Sequence, residues 1–573
     1  MPEFEFTPHQ LSLIRAAEST YVEACPGAGK TQGIVQRFIE RPLAHPRKGV
    51  ALISFTNAAI DEARQRCTSD PGLRESPNFI GTIDSFINRF LVGPTFLARR
   101  KIAPRFTENW AIVPHSQVKA PGVPWSASLD WFAILDRTAH LRVDRVPIEQ
   151  RASVERLEAQ QVEALEARAM DMWNSFVAGG VLSASAARVA LREYLGDPAR
   201  RQQLGELMAD RFVEVIVDEV QDCSADDLHV LELLHDFGVT IIAVGDPDQS
   251  IYGFRGDLPV DLAPFLNRLC RGQRLDGNFR SSPAICSAVD SLRAGSLRDR
   301  SVGRHSDVAT PVVLISYRRR QDLTTSLQDL LHGHNMTSDQ LVVLAHSADH
   351  ARVAAGSRSK GTMSSNQLVI LASAHQAIND PTHTPQDRVA AMRSIERIIR
   401  ELGTTDVVNL EHADYLEACG ITDRAFREGC IRIAAGFPKP FDVTPSEFRG
   451  ALLTMTESHA RLHWSPRPLR SPKGNKWPAS QRSSRQANPL AYTTIHGLKG
   501  RQSPAIALVL PEQRSNGDGV RQWCDGHDGE ERRVLYVGAS RAESLLIIAA
   551  HSSVHDQVRE RLLADAVAIA SCP

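Results

Sequence analysis

The sequence predicts an α/β protein built from two parallel-sheet cores, each of which carries a mainly helical insertion. Short apolar segments of strand length alternate with helical patterns in two separate blocks of the 573-residue chain, which is typical of parallel sheets with crossover helices. Polar residues follow several of these segments, and ligands bind at the carboxyl ends of strands in an open parallel sheet. A chain of this length is also too long for one hydrophobic core.

The predicted strands divide the chain into six consecutive parts. The strands of the first block are at 20–24, 49–56, 213–219 and 239–246, and those of the second are at 310–316, 340–345, 505–510 and 544–549. The two intervening stretches have apolar residues at helical spacing. The predicted parts are a first core at 1–100 and 211–279 with an insertion at 101–210, and a second core at 280–355 and 489–573 with an insertion and basic linker at 356–488.

The composition is that of an ordinary globular protein, with 42% hydrophobic and 23% charged residues and a net charge of −1, so any nucleic-acid surface must be local. No apolar run approaches the roughly 20 residues that span a bilayer, and the first residues lack the basic and apolar regions of a signal peptide. The nine cysteines form no Cys-x-x-Cys pair, which argues against a zinc site or a disulfide framework. We expect a cytoplasmic protein with no membrane contact.

A glycine-rich turn follows the first predicted strand and precedes a helical pattern. Backbone N–H groups and a helix N-terminus in such a turn face an anion, so we expect a site for ATP and Mg²⁺; the alternative is a turn without a ligand. Lys30 is expected to reach the β- and γ-phosphates and Thr31 to hold Mg²⁺. The first position is alanine where the general pattern has glycine. The turn consists of Ala24, Cys25, Pro26, Gly27, Ala28, Gly29, Lys30 and Thr31.

Two adjacent carboxylates follow the predicted strand at 213–219. Asp218 is expected to hold Mg²⁺ through water, and Glu219 to orient and deprotonate the attacking water. The structural alternative is a solvated acidic turn, which is common in proteins. The phosphate loop in the same chain favours the catalytic interpretation.

The segment at 244–257, which reads Val-Gly-Asp-Pro-Asp-Gln-Ser-Ile-Tyr-Gly-Phe-Arg-Gly-Asp, is too specific for a generic loop. Together with the phosphate loop and the Asp-Glu-Val-Gln-Asp sequence at 218–222, it resembles the UvrD/Rep branch of superfamily 1 helicases. Further segments resemble the motifs of that family in the same order along the chain. They are the Q motif at 7–10, motif Ia at 55–59, Ib at 81–86, IV at 275–281, V at 494–500 and VI at 531–542.

The resemblance implies that both cores are RecA-like, as in other P-loop NTPases, with ATP in the cleft between them. Gln10 then reads the edge of the adenine, and Phe279 stacks on its face. Gln249 senses the γ-phosphate. Arg280 and Arg541 reach it from the second core as arginine fingers, which contribute roughly 10³–10⁵ in rate.

The resemblance also implies contacts to single-stranded DNA across the tops of both cores. Phe55 and Phe254 are the expected stacking platforms, because aromatic stacking tolerates any base; Phe254 stands where the family usually has tryptophan. A lone phenylalanine is more often part of a core, and Phe86 and Phe90 are expected to be core residues. Contacts to phosphate or sugar, which position a strand without reading its sequence, are expected from Thr56, Asn57, Thr82, His496 and Lys499.

Three residues depart from the family pattern. Asp84 stands in motif Ib where the family usually has histidine, and an acid would repel a phosphate backbone, so we expect it to point elsewhere or to weaken that contact. Gln502 replaces a glutamate that usually contacts the ribose of the nucleotide, so a hydrogen bond remains but the charge is lost. Ser540 is a mild change from threonine in motif VI. Hydrolysis is expected to survive all three changes.

A basic stretch ends the second insertion, and no Asp or Glu lies between Glu457 and Glu512. One interpretation is a solvated linker. The other is a strip that contacts duplex DNA or a partner and whose binding falls steeply with salt. Its basic residues are Arg461, Arg467, Arg470, Lys473, Lys476, Arg482 and Arg485.

From these residues and the resemblance we expect an ATP-dependent DNA translocase and helicase that acts on single-stranded DNA and DNA junctions and moves 3′ to 5′. A second hypothesis is a nucleic-acid-gated ATPase that regulates a nuclease without unwinding. The compact form resembles the helicase subunit of Gabija-type anti-phage systems, which works with an OLD-family nuclease. A third hypothesis is a housekeeping repair helicase.

Overall fold

The structure is a computed structural model, and it describes most of the residues of the chain. These are residues 5–40, 47–55, 57–67, 70–107, 109–110, 113, 116–251, 260–293, 295–357, 366–379, 385–402, 412–440, 443–458, 462–463, 469–471, 477, 490–512 and 519–572. Among the predicted site residues, Thr56 and Phe254 lie outside these ranges, as does most of the basic stretch.

The amino-terminal part of the first core alternates strands with helices. Thr7 caps the first helix, because its side chain accepts a hydrogen bond from the Gln10 backbone N–H. The Gln10 side chain in turn accepts from the Thr7 backbone N–H, which completes a capping box. The elements are α1 (Pro8–Arg15), β1 (Thr20–Glu23), α2 (Lys30–Glu40), β2 (Gly49–Ser54), α3 (Asn57–Arg66), β3 (Phe79–Thr82), α4 (Ile83–Phe86) and α5 (Gly93–Arg100).

The first insertion is helical only in its second half. The expectation that residues 101–210 are largely helical is wrong for the described part of 105–141, which contains short strands, because prolines at 104, 121 and 124 interrupt helical hydrogen bonding. The elements are β4 (Arg105–Thr107), β5 (Gln117–Val118), β6 (Ala127–Ser128), β7 (Phe132–Leu135), β8 (Thr138–Leu141), α6 (Ile148–Val154), α7 (Ala159–Ala178), β9 (Val181–Ser183), α8 (Ala184–Leu195) and α9 (Pro198–Arg211).

The chain then returns to the first core and completes its sheet. The elements are β10 (Phe212–Asp218), α10 (Ala225–Asp236), β11 (Thr240–Gly245), α11 (Ala263–Leu266), β12 (Cys270–Arg271) and β13 (Gly277–Asn278). The six strands of the sheet lie in the order β12-β1-β11-β10-β2-β3, and all of them are parallel. Every residue of β2 is buried, as expected for a parallel strand covered on both faces.

The second core begins with an equivalent alternation. Its elements before the second insertion are α12 (Pro283–Ser291), β14 (Arg300–Ser301), β15 (Val312–Tyr317), α13 (Leu323–Gly333), β16 (Leu341–Ala345) and α14 (Ala348–Ala354). The described parts of the second insertion are helical, as expected. They are α15 (Gln367–Asn379), α16 (Pro385–Glu401), α17 (His412–Cys419), α18 (Asp423–Ala435) and α19 (Pro445–Ser458). Tyr415, Phe426 and Phe448 are buried in a hydrophobic cluster of the insertion itself.

The remaining elements complete a second parallel sheet. They are β17 (Ala491–Thr494), α20 (Ile495–Leu498), β18 (Ser503–Val509), α21 (Gly519–Cys524), α22 (Glu530–Ala539), β19 (Ala542–His551), α23 (His555–Ala564) and β20 (Ile569–Cys572). The strand order is β17-β16-β18-β19-β15-β20. Two six-stranded parallel sheets confirm the predicted fold class; the exact domain boundaries stay a prediction. Among the described residues, no helix is both long and apolar enough to cross a membrane.

Candidate functional site

The phosphate loop connects β1 to α2 at the carboxyl edge of the first sheet. Gly27 and Gly29 both have a φ of +70°, a left-handed conformation that glycine adopts readily. A Cβ on Gly27 would lie 2.7 Å from the Cβ of Arg280, and a Cβ on Gly29 would lie 2.7 Å from Nε2 of Gln10. The loop therefore has no room for side chains at these positions. It leads directly into α2 at Lys30, the arrangement that binds phosphate.

Alanine is compatible with the first position of the loop because the chain is still extended there. Ala24 forms a bridge with Leu275, and its N–H donates to the carbonyl of Gly245 at 2.9 Å. Its side chain is buried. This position behaves as the end of β1, so it does not require glycine.

Lys30 and the predicted acidic pair meet beside this loop. Nζ of Lys30 lies 3.0 Å from Oε2 of Glu219. Burial and the charge of Glu219 raise the pKa of Asp218. Burial also acts to raise the pKa of Glu219, but the charges of Lys30 and Lys499 outweigh it, and this pKa is lowered. Glu219 is thus held as a carboxylate beside the lysine.

The residues at the loop fit ATP with Mg²⁺. Oδ1 of Asp218 is buried and has no hydrogen-bond partner among the described residues, and buried carboxylate oxygens without a partner call for an explanation such as an ion. Thr31 is the second residue of α2 and so stands at the same loop. Thr31 and Asp218 would hold Mg²⁺, and Lys30 would hold the phosphates.

The predicted adenine-reading residue lies against the phosphate loop. The side chain of Gln10 is buried, and its Nε2 donates to the carbonyl of Ala28 at 3.0 Å. Its Oε1 accepts from the N–H of Thr7 at 3.0 Å. An amide has two donor hydrogens and two acceptor lone pairs, so one of each remains for a base. The adenine contact stays a prediction.

The chain after β13 brings the predicted stacking residue and the first predicted finger to the same loop. The N–H of Phe279 donates to the carbonyl of Gly27 at 2.9 Å. Arg280 donates from Nε to Oε1 of Gln502 and from Nη1 to the carbonyl of Ser540, both at 2.8 Å. Gln502 therefore orients Arg280 in this structure. Burial and the charge of Arg541 lower the pKa of Arg280 to about 9, so its guanidinium stays charged at neutral pH.

The second predicted finger is buried and contacts the predicted γ-phosphate sensor. Nη2 of Arg541 donates to Oε1 of Gln249 at 2.5 Å. Nε2 of Gln249 in turn donates to Oδ2 of Asp246 at 2.8 Å. Residues of the second core therefore reach the ends of β10 and β11 in the first core, where the acidic pair and the sensor lie.

The residues that are predicted to contact DNA differ in their burial and in their hydrogen bonds. Phe55 is half-buried and packs against a hydrophobic cluster that includes Phe79 and Phe86. The hydroxyl of Thr82 caps α4 by accepting from the N–H of Ser85 at 3.2 Å. A ring nitrogen of His496 lies 3.3 Å from the carbonyl of Ile251. Asn57 is the first residue of α3, and its side chain lies outside the described residues. The expectation that Phe86 is a core residue is confirmed.

Lys499, a predicted DNA contact, is held in an ion pair in this structure. Its Nζ lies 2.8 and 2.7 Å from the two carboxylate oxygens of Asp222 and 2.9 Å from the carbonyl of Gln249. The Lys499 and Asp222 side chains are 4% and 0% exposed. A phosphate contact from Lys499 would require this buried ion pair between the cores to break.

The unusual acid in motif Ib has a partner in the first insertion. Nη1 of Arg188 lies 2.6 Å from Oδ1 of Asp84 and Nη2 lies 2.8 Å from Oδ1 of Asp227. The pair turns the charge of Asp84 toward α8, in agreement with the expectation that this side chain points elsewhere. It also joins the insertion to both motif Ib and α10.

Sequence reasoning missed a second buried network between the cores. Arg293 lies 2.9 Å from Asp248 and 3.0 Å from Asp299, and it also donates to the hydroxyl of Tyr536. That hydroxyl donates to Asp246 at 3.0 Å. One signal was available in the sequence: Arg293 follows a largely apolar helix pattern whose one charged residue is Asp290.

The fold and this cleft together define a two-core P-loop protein whose cores are RecA-like. A family model described as the UvrD/REP helicase N-terminal domain matches residues 6–265, which is a little under half of the chain. The match ends near the boundary predicted for the first core.

Shorter similarities extend to curated DNA helicases. DNA helicase II of Salmonella typhimurium is 39% identical over 85 residues, 14% of this chain and 12% of that protein. DNA helicase II of Haemophilus influenzae is 30% identical over 152 residues, 25% of this chain and 20% of that protein. The RecBCD enzyme subunit RecB of Buchnera aphidicola is 31% identical over 106 residues, 18% of this chain and 9% of that protein. The chain thus matches a fifth or less of the length of each of these relatives.

Proposed function

We propose that this protein is an ATP-dependent DNA translocase and helicase. The observation that carries the proposal is the meeting of both cores at one cleft. Arg280 packs against Gly27 of the phosphate loop, and Arg541 bonds to Gln249 beside the acidic pair. Fingers placed on the opposite core make hydrolysis depend on closure of the cleft, which is how a nucleotide can drive a hinge motion.

The chemistry begins with an exchange of partners at Lys30. In this structure its ammonium is paired with Glu219, so binding of phosphate oxygens releases the Glu219 carboxylate. The charge of Lys30 is a main cause of the lowered pKa of Glu219, so loss of this pairing makes the carboxylate a better acceptor for a proton from water. Bound ATP with Mg²⁺ supplies the phosphoryl group that is transferred to this water. Arg280 and Arg541 neutralise the charge that spreads over the transferred group.

The contacts between the cores supply a route from the nucleotide to DNA. Gln249, which bonds to Arg541, also accepts from Lys499 through its carbonyl. Two residues later, the carbonyl of Ile251 meets His496 of the second core. The segment that carries Phe254 follows Ile251 directly. A change at the γ-phosphate therefore has a short path to the predicted stacking platform.

We propose single-stranded DNA and DNA junctions as substrates, with stacking on Phe55 and Phe254 and movement in the 3′ to 5′ direction. Phosphate or sugar contacts are proposed for Thr56, Asn57, Thr82 and His496. The direction rests on the resemblance of motifs Ia, Ib and III to the UvrD/Rep set. We propose the cytoplasm as the location.

The competing hypothesis uses the same site for a different output. In it, a DNA-gated ATPase controls a partner nuclease of the OLD family, in anti-phage defence, and strand separation plays no part. A repair helicase is the third hypothesis. All three require ATP turnover at Lys30, and they differ in whether strands are displaced.

A strand-displacement assay separates these hypotheses. Substrates carry a 3′ tail or a 5′ tail, and the Lys30→Ala variant serves as the inactive control. We expect ATP-dependent displacement from the 3′-tailed substrate alone. DNA-stimulated ATP turnover without displacement from either substrate would favour the switch. Turnover in the Lys30→Ala variant equal to that of the unmodified protein would refute the assignment of the site.

A further inference from the structure

A cavity of about 810 Å³ lies beside the outer edge of the first sheet. Residues of edge strand β3, of the turn before it and of the helix after it line the cavity, together with Phe106 of the first insertion. Among the described residues, its wall includes three arginines, Arg64, Arg74 and Arg89, and one carboxylate, Glu75. None of these arginines belongs to a motif identified in the sequence.

The positive charge at this cavity is poorly balanced. Arg74 and Arg89 are exposed, and among the described residues no carboxylate pairs with either of them. Arg64 donates to the carbonyl of Ile80 at 3.1 Å. Close by, the guanidinium groups of Arg89 and Arg211 lie 5.3 and 5.4 Å from the centroid of the Phe90 ring, so two like charges share this edge. A cleft of one charge sign attracts ligands of the opposite sign.

The cavity begins beside the last of the proposed DNA contacts. Within the first sheet, the order β11-β10-β2-β3 sets the carboxyl ends of these strands in a row, and Thr82 ends the edge strand β3. The hydroxyl of Thr82 donates to that of Ser85 at 3.1 Å, and Ser85 lines the cavity. From Ser85 the cavity extends along the edge of the sheet toward Phe79, the first residue of β3. A strand of nucleic acid that crosses the row reaches the cavity by turning along this edge at Thr82.

We propose that the cavity extends the single-stranded nucleic-acid site beyond motif Ib, with Arg74 and Arg89 as phosphate contacts and Phe106 as a face for a base. The inference rests on the proposed function, because it needs a strand that crosses the first core. Basic grooves interleaved with aromatic side chains bind single strands without reading their sequence. Phe106 is half-buried, so part of its side chain remains for such a contact.

The test measures binding of fluorescent oligo(dT) of increasing length, from about 4 to about 30 nucleotides, at several salt concentrations. The Arg74→Gln/Arg89→Gln variant is compared with the unmodified protein. The control is Arg319→Gln/Arg424→Gln, which removes the same charge from two exposed arginines in the second core and its insertion. The salt slope is the fall in the logarithm of the binding constant with the logarithm of the salt concentration, and each phosphate contact to a single strand contributes roughly 0.7 to it. For long oligonucleotides, the salt slope of the cavity variant should therefore be smaller by about 1.4 than that of the unmodified protein.

Short oligonucleotides that occupy only the motif contacts should bind the unmodified protein and the cavity variant with the same slope. The Arg74→Glu/Arg89→Glu variant should weaken binding of long oligonucleotides further, with no change for short ones. An equal loss at every length, an unchanged slope at every length, or the same loss in the control would overturn the extended site. If the unmodified protein binds no oligo(dT) of any length, the proposed function itself fails.

Discussion

The Lys499→Met variant distinguishes between two roles for this lysine, an ion pair that joins the cores and a contact to DNA. Nζ of Lys499 contacts both carboxylate oxygens of Asp222, and both side chains are almost completely buried. Loss of one partner from such a pair costs about 3–5 kcal/mol, because the other charge is left buried and uncompensated. The lysine belongs to the second core and the aspartate to the first. We therefore expect the Lys499→Met variant to lose about that much free energy of unfolding.

Two measurements check this expectation. The first is denaturant unfolding of Lys499→Met and of Lys499→Met/Asp222→Leu, in which the double variant should recover much of the loss, since no unpaired charge remains. The second is the salt slope of oligo(dT) binding, which should not change, because an ammonium held by a carboxylate releases no counterions from DNA. A slope smaller by roughly 0.7, with stability nearly unchanged, would refute the reasoning and return Lys499 to the DNA contacts.

Three further changes test other parts of the cleft. Glu219→Gln should lower single-turnover hydrolysis by about 10²–10⁴ while ATP and DNA remain bound, and rapid product release would argue against Glu219 as the base. Gly27→Ala should abolish nucleotide binding, measured by titration calorimetry, since its Cβ would lie 2.7 Å from that of Arg280 in a strained conformation; unchanged affinity would mean that the loop rearranges. Tyr536→Phe should lower the DNA stimulation of ATP turnover, with basal turnover retained, and equal losses in both would indicate a purely structural role.

Local sequence patterns were sufficient to predict the phosphate loop and the two sheets. The turn from β1 into α2 is determined by adjacent residues, so Lys30 and Thr31 were identifiable from the pattern alone. The helical expectation for 101–210 was partly wrong because it extended the clear pattern of 148–177 backwards over a proline-interrupted stretch. The helical spacing of apolar residues at 148–177 was a correct guide to the second half of the insertion but not to the first half.

Pairings between distant residues could not be predicted in this way. Lys499 and Asp222 are 277 positions apart, and Arg188 and Asp84 are 104 apart. Each pair contains a residue that is unremarkable, or even unfavourable, when it is considered alone. The acid at position 84 is explained only by the guanidinium that an insertion brings to it. Charge complementarity of this kind depends on the packing of domains, and a single sequence does not report it.

The residues that depart from the family pattern lie at contacts between parts of the chain. Gln502 accepts from Arg280, so a neutral amide stands where a glutamate would form an ion pair with the finger. The guanidinium of Arg280 bound to a neutral amide lacks the attraction between two opposite charges that a glutamate would add, so the amide holds Arg280 less firmly. A loosely held finger can leave Gln502 for a phosphate at a lower cost. By contrast, Lys499 is held by a full ion pair. The cleft therefore combines a strong tie between the cores with a weaker restraint on Arg280. We propose that this difference lets a bound nucleotide recruit Arg280 without first separating Lys499 from Asp222.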